Sequence, residues 1–135
     1  MVVDTNILIS AVIRPLGTVG LVLRHLRDGH YILIYSEPIL TEIVDVLNRP
    51  TIRDKYGLTQ ADIETIIGLV LLRGEVIIPK RRITVCRDPK DNMILEAAID
   101  GSADMIISGD QDLLSMRTFE GIAILTPAEF IGHLD

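Results

Sequence analysis

The feature that most constrains the fold of this chain is the order in which short β-type runs alternate with segments of helical period. Met1-Val2-Val3 is a brief apolar run. After Asp4-Thr5-Asn6 comes a helix-like stretch, Ile7 to Ile13, which stops at Arg14-Pro15 and Gly17. Val19, Val22, Leu23 and Leu26 keep a period near 3.6 until Asp28-Gly29, and a β-rich run, Tyr31 to Tyr35, follows. Ser36 is a good N-cap for a helix carrying Ile39, Leu40, Ile43, Val44 and Leu47 on one face, ending near Asn48-Arg49-Pro50. Thr59 and Asp62 form a capping-box pattern ahead of Ile63, Ile66, Ile67, Val70 and Leu71, and Gly74 closes that helix before the strand Val76-Ile77-Ile78.

The second half repeats the pattern. Asp88-Pro89 opens a helix through Ile94, Leu95, Ala98 and Ile99 to Gly101, because proline is tolerated in a first turn. Met105-Ile106-Ile107 and Ile122 to Leu125 read as strands, and Thr126-Pro127-Ala128-Glu129 starts a last helix with Glu at the third position. Alternation of this kind requires a mostly parallel central sheet with helices on both faces, joined by right-handed crossovers. The expectation is an α/β protein of three layers, α/β/α. A single domain over residues 1–135 suffices, and a hydrophobic fraction of 48% without Trp suits a packed aliphatic interior.

Several function classes are disfavoured. The apolar run from Ile7 to Ile13 is far below the ~20 residues of a membrane span. Asp4 precedes it where a secretory signal would carry basic residues, so the chain reads as soluble and cytoplasmic. Cys86 is the only cysteine and reads as a packing residue. His25, His30 and His133 are scattered without the paired spacing of a zinc site and read as surface or helix-end residues. A net charge of −6 argues against broad attraction to nucleic acid, although a site built to hold cations makes a protein acidic by itself.

In open α/β sheets the working site lies beyond the carboxyl ends of the strands, and this rule selects particular acids. Asp4 follows the first strand, Asp110 the fourth, Asp91 lies in the first turn of the helix after the third, and Glu42 sits at the margin of an apolar helix face. Each has an ordinary explanation: Asp88 and Asp91 as helix caps, Asp110 as the cap of a short turn, Glu42 as a solvated side chain. Together on one edge they would repel one another unless protonated or neutralised by cations. A cluster of carboxylates without His or Cys suits Mg²⁺ or Mn²⁺. Such ions serve phosphodiester hydrolysis by activating water and stabilising the leaving oxygen, with no side-chain nucleophile needed.

Four stretches carry a resemblance: Val2-Val3-Asp4-Thr5-Asn6; Ser36 with Ile39-Leu40 and Glu42; Asp88-Pro89-Lys90-Asp91-Asn92; and Ser108-Gly109-Asp110-Gln111-Asp112-Leu113-Leu114. In that order the chain resembles the PIN-domain ribonucleases, and within them the toxin-like (VapC-type) prokaryotic branch. The resemblance implies a metal-dependent endoribonuclease, the toxin of a toxin–antitoxin pair, using Mg²⁺ or Mn²⁺ on RNA. It also implies a cognate antitoxin protein and a homodimer or higher oligomer. Asp4, Glu42, Asp91 and Asp110 match the family's acids, and Asp112 is placed to support a second metal. Asn6 and Ser108 stand where the family sets ligand-orienting polar residues, and Asn92 is a weaker candidate. Only three residues precede Asp4, so the first strand is shorter than is common in such proteins.

The cluster Lys80-Arg81-Arg82, with Arg87 nearby, suits RNA phosphate or an acidic partner segment, the ordinary reading being a solvated turn. Two alternatives remain open. One is a noncatalytic PIN-like module that binds RNA or protein. The other is a phosphotransfer or receiver domain, weakened because Asn6 replaces the second Asp of one such signature and Ile78-Pro79 follows the third strand of the other.

Overall fold

The computed structural model describes residues 1–134. The strands are β1 (Val2–Val3), β2 (Leu33–Ser36), β3 (Gly74–Ile77), β4 (Met105–Ile107), β5 (Thr118–Phe119) and β6 (Ile122–Leu125). The helices are α1 (Thr5–Ile13), α2 (Thr18–Arg27), α3 (Glu37–Asn48), α4 (Pro50–Arg53), α5 (Gln60–Arg73), α6 (Pro89–Asp100), α7 (Gln111–Leu114) and α8 (Pro127–Leu134).

Two ladders form, one ordered β1-β4-β6-β5 and the other β2-β3. All neighbours are parallel except β5 and β6. The ladders are stitched together at the N-terminus. The terminal amine donates to the Ile32 carbonyl at 3.2 Å, and the Ile34 N–H donates to the Met1 carbonyl at 2.8 Å, which is the parallel pattern for Met1 opposite Leu33. The continuous order is therefore β3-β2-β1-β4-β6-β5. From β1 the chain moves outward through β2 and β3, then crosses back to β4 on the far side of β1. The switch point lies between β1 and β4, and a crevice opens beyond their carboxyl ends.

Helices cover both faces, as the burial of consecutive residues shows: Val2 and Val3, Leu33 through Ser36, and Ile106 and Ile107 are all buried. Helix α6 packs on β1, β2 and β4, while α3 packs on β2 and α8 on β6. The caps expected from sequence form. Ser36 accepts from the Ile39 N–H, Thr59 and Asp62 make the reciprocal capping box, and Asp88 caps α6 ahead of Pro89. Thr126 and Glu129 exchange two hydrogen bonds at 3.1 Å to start α8.

Other details differ from the sequence reading. β2 begins two residues later than the run from Tyr31, and α5 passes into β3 without a loop. Gly74 permits that junction, because a Cβ there would stand 2.4 Å from the Val70 carbonyl oxygen and 2.7 Å from the Tyr35 ring. Helices α4 and α7 and strand β5 are too short for periodicity to reveal. The histidines are not all scattered: His25 and His30 meet with their Nδ1 atoms 2.7 Å apart, because the turn closing α2 folds one back over the other. Among the described residues no single helix is long and apolar enough to cross a membrane. The pair α1 and α2, which together would be, is bent by 100°.

Candidate active site

Asp4 ends β1 and begins α1. Its Oδ1 accepts the Asn6 N–H at 3.3 Å, so one carboxylate oxygen caps the helix, while Oδ2 accepts the Ser108 hydroxyl at 2.8 Å. Ser108 follows β4, is fully buried, and its oxygen also accepts the Asp110 N–H at 3.0 Å. One serine thus ties the ends of the two strands that flank the switch point. The Asp110 Oδ1 accepts the Asp112 N–H at 2.7 Å, so Asp110 caps α7 as the ordinary reading supposed, and it also faces the crevice.

Asp91 behaves differently from a cap. Asp88 caps α6, and Asp91, one turn inside, is buried with its Oδ2 lacking any hydrogen-bond partner among the described residues. A buried carboxylate oxygen without a donor costs on the order of 1–3 kcal/mol or more, so its presence needs a reason. Burial, then the charges of Asp110, Asp4, Asp88 and Asp112, raises the Asp91 pKa from 3.8 to about 6. Burial also raises that of Asp4, against the hydrogen bonds from Ser108 and Asn6, with Asp110 and Glu42 adding to the rise.

Glu42 arrives from α3 with its side chain only 13% exposed, and the Lys90 ammonium lies 3.1 Å from its Oε1. Asp4, Glu42, Asp88, Asp91 and Asp110 line one cleft of about 120 Å³, joined by Asn6 and by Lys90 as the one cation. Asp112 stands outside that lining, yet one oxygen from each of Asp91, Asp110 and Asp112 lies within 4.8 Å of the others. Sequence reasoning treated Asp88 only as a cap and did not single out Lys90. The i,i+3 spacing of Asp88 and Asp91 was the available signal, since it puts both on one side of the first turn.

The basic residues are dispersed. Arg81 pairs with Glu120 at 2.7 Å, and Arg87 reaches both oxygens of Asp112 at 3.1 and 3.2 Å, while Lys80 and Arg82 project into solvent. The backbone of their loop is held by α6: Asp100 accepts from the N–H groups of Lys80 and Arg81, and Glu96 from that of Ile83 at 2.8 Å. Asn92 completes the clamp by accepting from the Cys86 N–H at 2.9 Å and donating to its carbonyl at 3.1 Å. Asn92 therefore positions the loop rather than facing the cleft.

Residues 1–112 match the family model described as "PIN domain", a span that contains Asp112 and all five acids lining the cleft. An uncharacterized protein of Methanocaldococcus jannaschii is 33% identical over 143 aligned positions, covering 100% of this chain and 91% of the relative. No solved structure matches the chain significantly.

Proposed function

The chain belongs to the PIN-domain family, whose chemistry is of the nuclease type, and on that premise we propose that it is a metal-dependent endoribonuclease hydrolysing RNA phosphodiester bonds. The observation that carries the proposal is the convergence of five carboxylates on one cleft around the buried, unpartnered Oδ2 of Asp91. Such a cluster stores repulsion that only protons or cations relieve.

The residues present fit a hard divalent cation. The cleft offers carboxylate oxygens without His or Cys, and one of those oxygens has no protein donor. Asp4, Glu42, Asp91 and Asp110 would hold Mg²⁺ or Mn²⁺, with Asp112 beside Asp91 and Asp110 available to a second ion. Bound there, the cation supplies Lewis acidity toward water and toward the phosphodiester. The chain's own residues do the rest. Ser108 fixes the rotamer of Asp4 from a buried hydroxyl, and Asn6 lines the cleft where it can meet a ligand. Lys90 balances Glu42 and is exposed enough to turn toward a phosphate. Arg87, held on Asp112 beside Asp91 and Asp110, stands where it can meet a phosphate, whereas Lys80, Arg81 and Arg82 belong to a loop held at the other end of α6 and would reach RNA phosphate or an acidic partner segment away from the cleft.

We further assign the chain, on its sequence motifs, to the toxin-like branch. That reading brings a cytoplasmic setting, a cognate antitoxin and a homodimeric or higher assembly. Exposed Leu72, Val76 and Ile78 around the outer strand β3 supply apolar surface that suits self-association. RNA cleavage by the purified chain with Mg²⁺ or Mn²⁺, abolished by EDTA, tests the central proposal. Full activity in chelator would remove the mechanism.

A further inference from the structure

Helix α2 ends with a pair of closing hydrogen bonds: the Gly29 N–H donates to the Leu26 carbonyl at 3.0 Å and the His30 N–H to the His25 carbonyl at 2.9 Å. Gly29 makes this possible with φ at +75°. In closures of this geometry the side chains at the positions of residues 25 and 30 are brought into contact and are usually apolar. Here both are histidines. Their ring centroids are 4.9 Å apart, their planes are inclined by 44°, and their Nδ1 atoms approach to 2.7 Å. His25 also stands edge-on to Phe130 of α8 at 6.5 Å, which holds one ring from behind.

We propose that His25 and His30 form a second cation site, of two imidazoles, for a borderline divalent metal such as zinc, nickel or copper. The class follows from the donors. Two imidazole nitrogens select these ions, whereas the all-oxygen cleft suits Mg²⁺ or Mn²⁺. Without metal, one Nδ1 donates its proton to the other. With metal, both Nδ1 lone pairs would point at the ion and each ring would carry its proton on Nε2. Ligands at about 2.1 Å place two such nitrogens roughly 3.0–3.4 Å apart, so the rings need to part by about half an ångström. The carboxyl end of α2 adds a partial negative charge that favours a cation.

The position is separate from the carboxylate cleft. His30 borders a groove with Met1, Ile32 and Asp104, residues that precede or begin the strands, whereas the cleft lies beyond the strands' other ends. Metal there would staple the end of α2 to the segment entering β2.

The test is a calorimetric titration of Ni²⁺ into the full chain in excess Mg²⁺, repeated with His30→Ala and with Asp91→Asn. One saturable site is expected, weakened at least tenfold by His30→Ala and unchanged by Asp91→Asn. Electron paramagnetic resonance of the wild type with one equivalent of Cu²⁺ should show two nitrogen ligands, a readout that does not depend on any variant folding. No saturable binding, equal affinity in His30→Ala, or copper bound only by oxygen would each overturn the site.

Discussion

Replacing Asp91 by Asn removes one charge from the cleft while nearly preserving shape, and the structure fixes what that should do. Asp91 is buried, its Oδ2 has no donor, and its pKa stands at about 6 against 3.8 for the ordinary group. A raised carboxyl pKa means that the folded protein binds the proton more tightly than the unfolded chain. The contribution of Asp91 to stability is therefore most favourable below pH 3.8 and is lost as pH rises to about 6, after which its cost stays constant. Two pKa units correspond to about 3 kcal/mol, an upper limit because the amide must itself be desolvated. The metal-free Asp91→Asn protein should therefore melt higher than wild type at pH 7.5, by up to on the order of 10 °C for a domain of this size. That advantage should vanish near pH 4. Adding Mg²⁺ should raise the wild-type melting temperature and raise the variant's less, since an amide is a poorer ligand for a hard cation. Cleavage should nevertheless fall, the trade expected of a strained site. Thermal melts of both proteins in EDTA and in Mg²⁺, at pH 4 and pH 7.5, decide the matter. A variant that is less stable at both pH values with an intact Mg²⁺ response would refute the reasoning and make Asp91 a structural residue.

Other outcomes follow from the same geometry. Asp4→Asn and Asp110→Asn should each lower turnover by orders of magnitude, whereas Asp45→Asn, exposed three residues beyond Glu42, should leave it unchanged in a steady-state RNA cleavage assay. Ser108→Ala leaves the Oδ2 of buried Asp4 without its donor, so it should cost about 1–3 kcal/mol in a denaturant melt and move the acidic limb of the rate profile to higher pH. Arg81→Ala with Arg82→Ala should weaken RNA binding more at low than at high salt, and equal affinity at both would mark the loop as a solvated turn. Gly74→Ala should destabilise by about 2 kcal/mol or more in thermal melts, because its methyl group meets backbone and the Tyr35 ring with no room to move.

The sequence by itself determined the alternation of elements, and hence a parallel sheet covered by helices, because period and capping are local properties. Ser36, Thr59 with Asp62, Asp88-Pro89 and Thr126 with Glu129 start helices in the structure where their patterns placed them. Asp4, Glu42, Asp91 and Asp110 were legible as one edge because Asp4 and Asp110 follow strands while Glu42 and Asp91 stand on the helices that come after strands, and the rule for open sheets ties those positions to the crevice. Tertiary structure decided what each acid does there. Asp110 caps α7 and Asp88 caps α6, but Asp91 has a buried oxygen without a partner, a difference that depends on neighbours distant in sequence. Arg87 meets Asp112, Lys90 meets Glu42, and Ser108 reaches Asp4 across 104 residues, pairings that no local pattern encodes. His25 and His30 are the converse case. They are close in sequence, but their meeting depends on the backbone turn at Gly29, which apolar periodicity does not register. Strand order was likewise settled in three dimensions, because Met1 joins β1 to β2 on one side while β1 pairs with β4 on the other, and that arrangement sets the switch point where the acids gather.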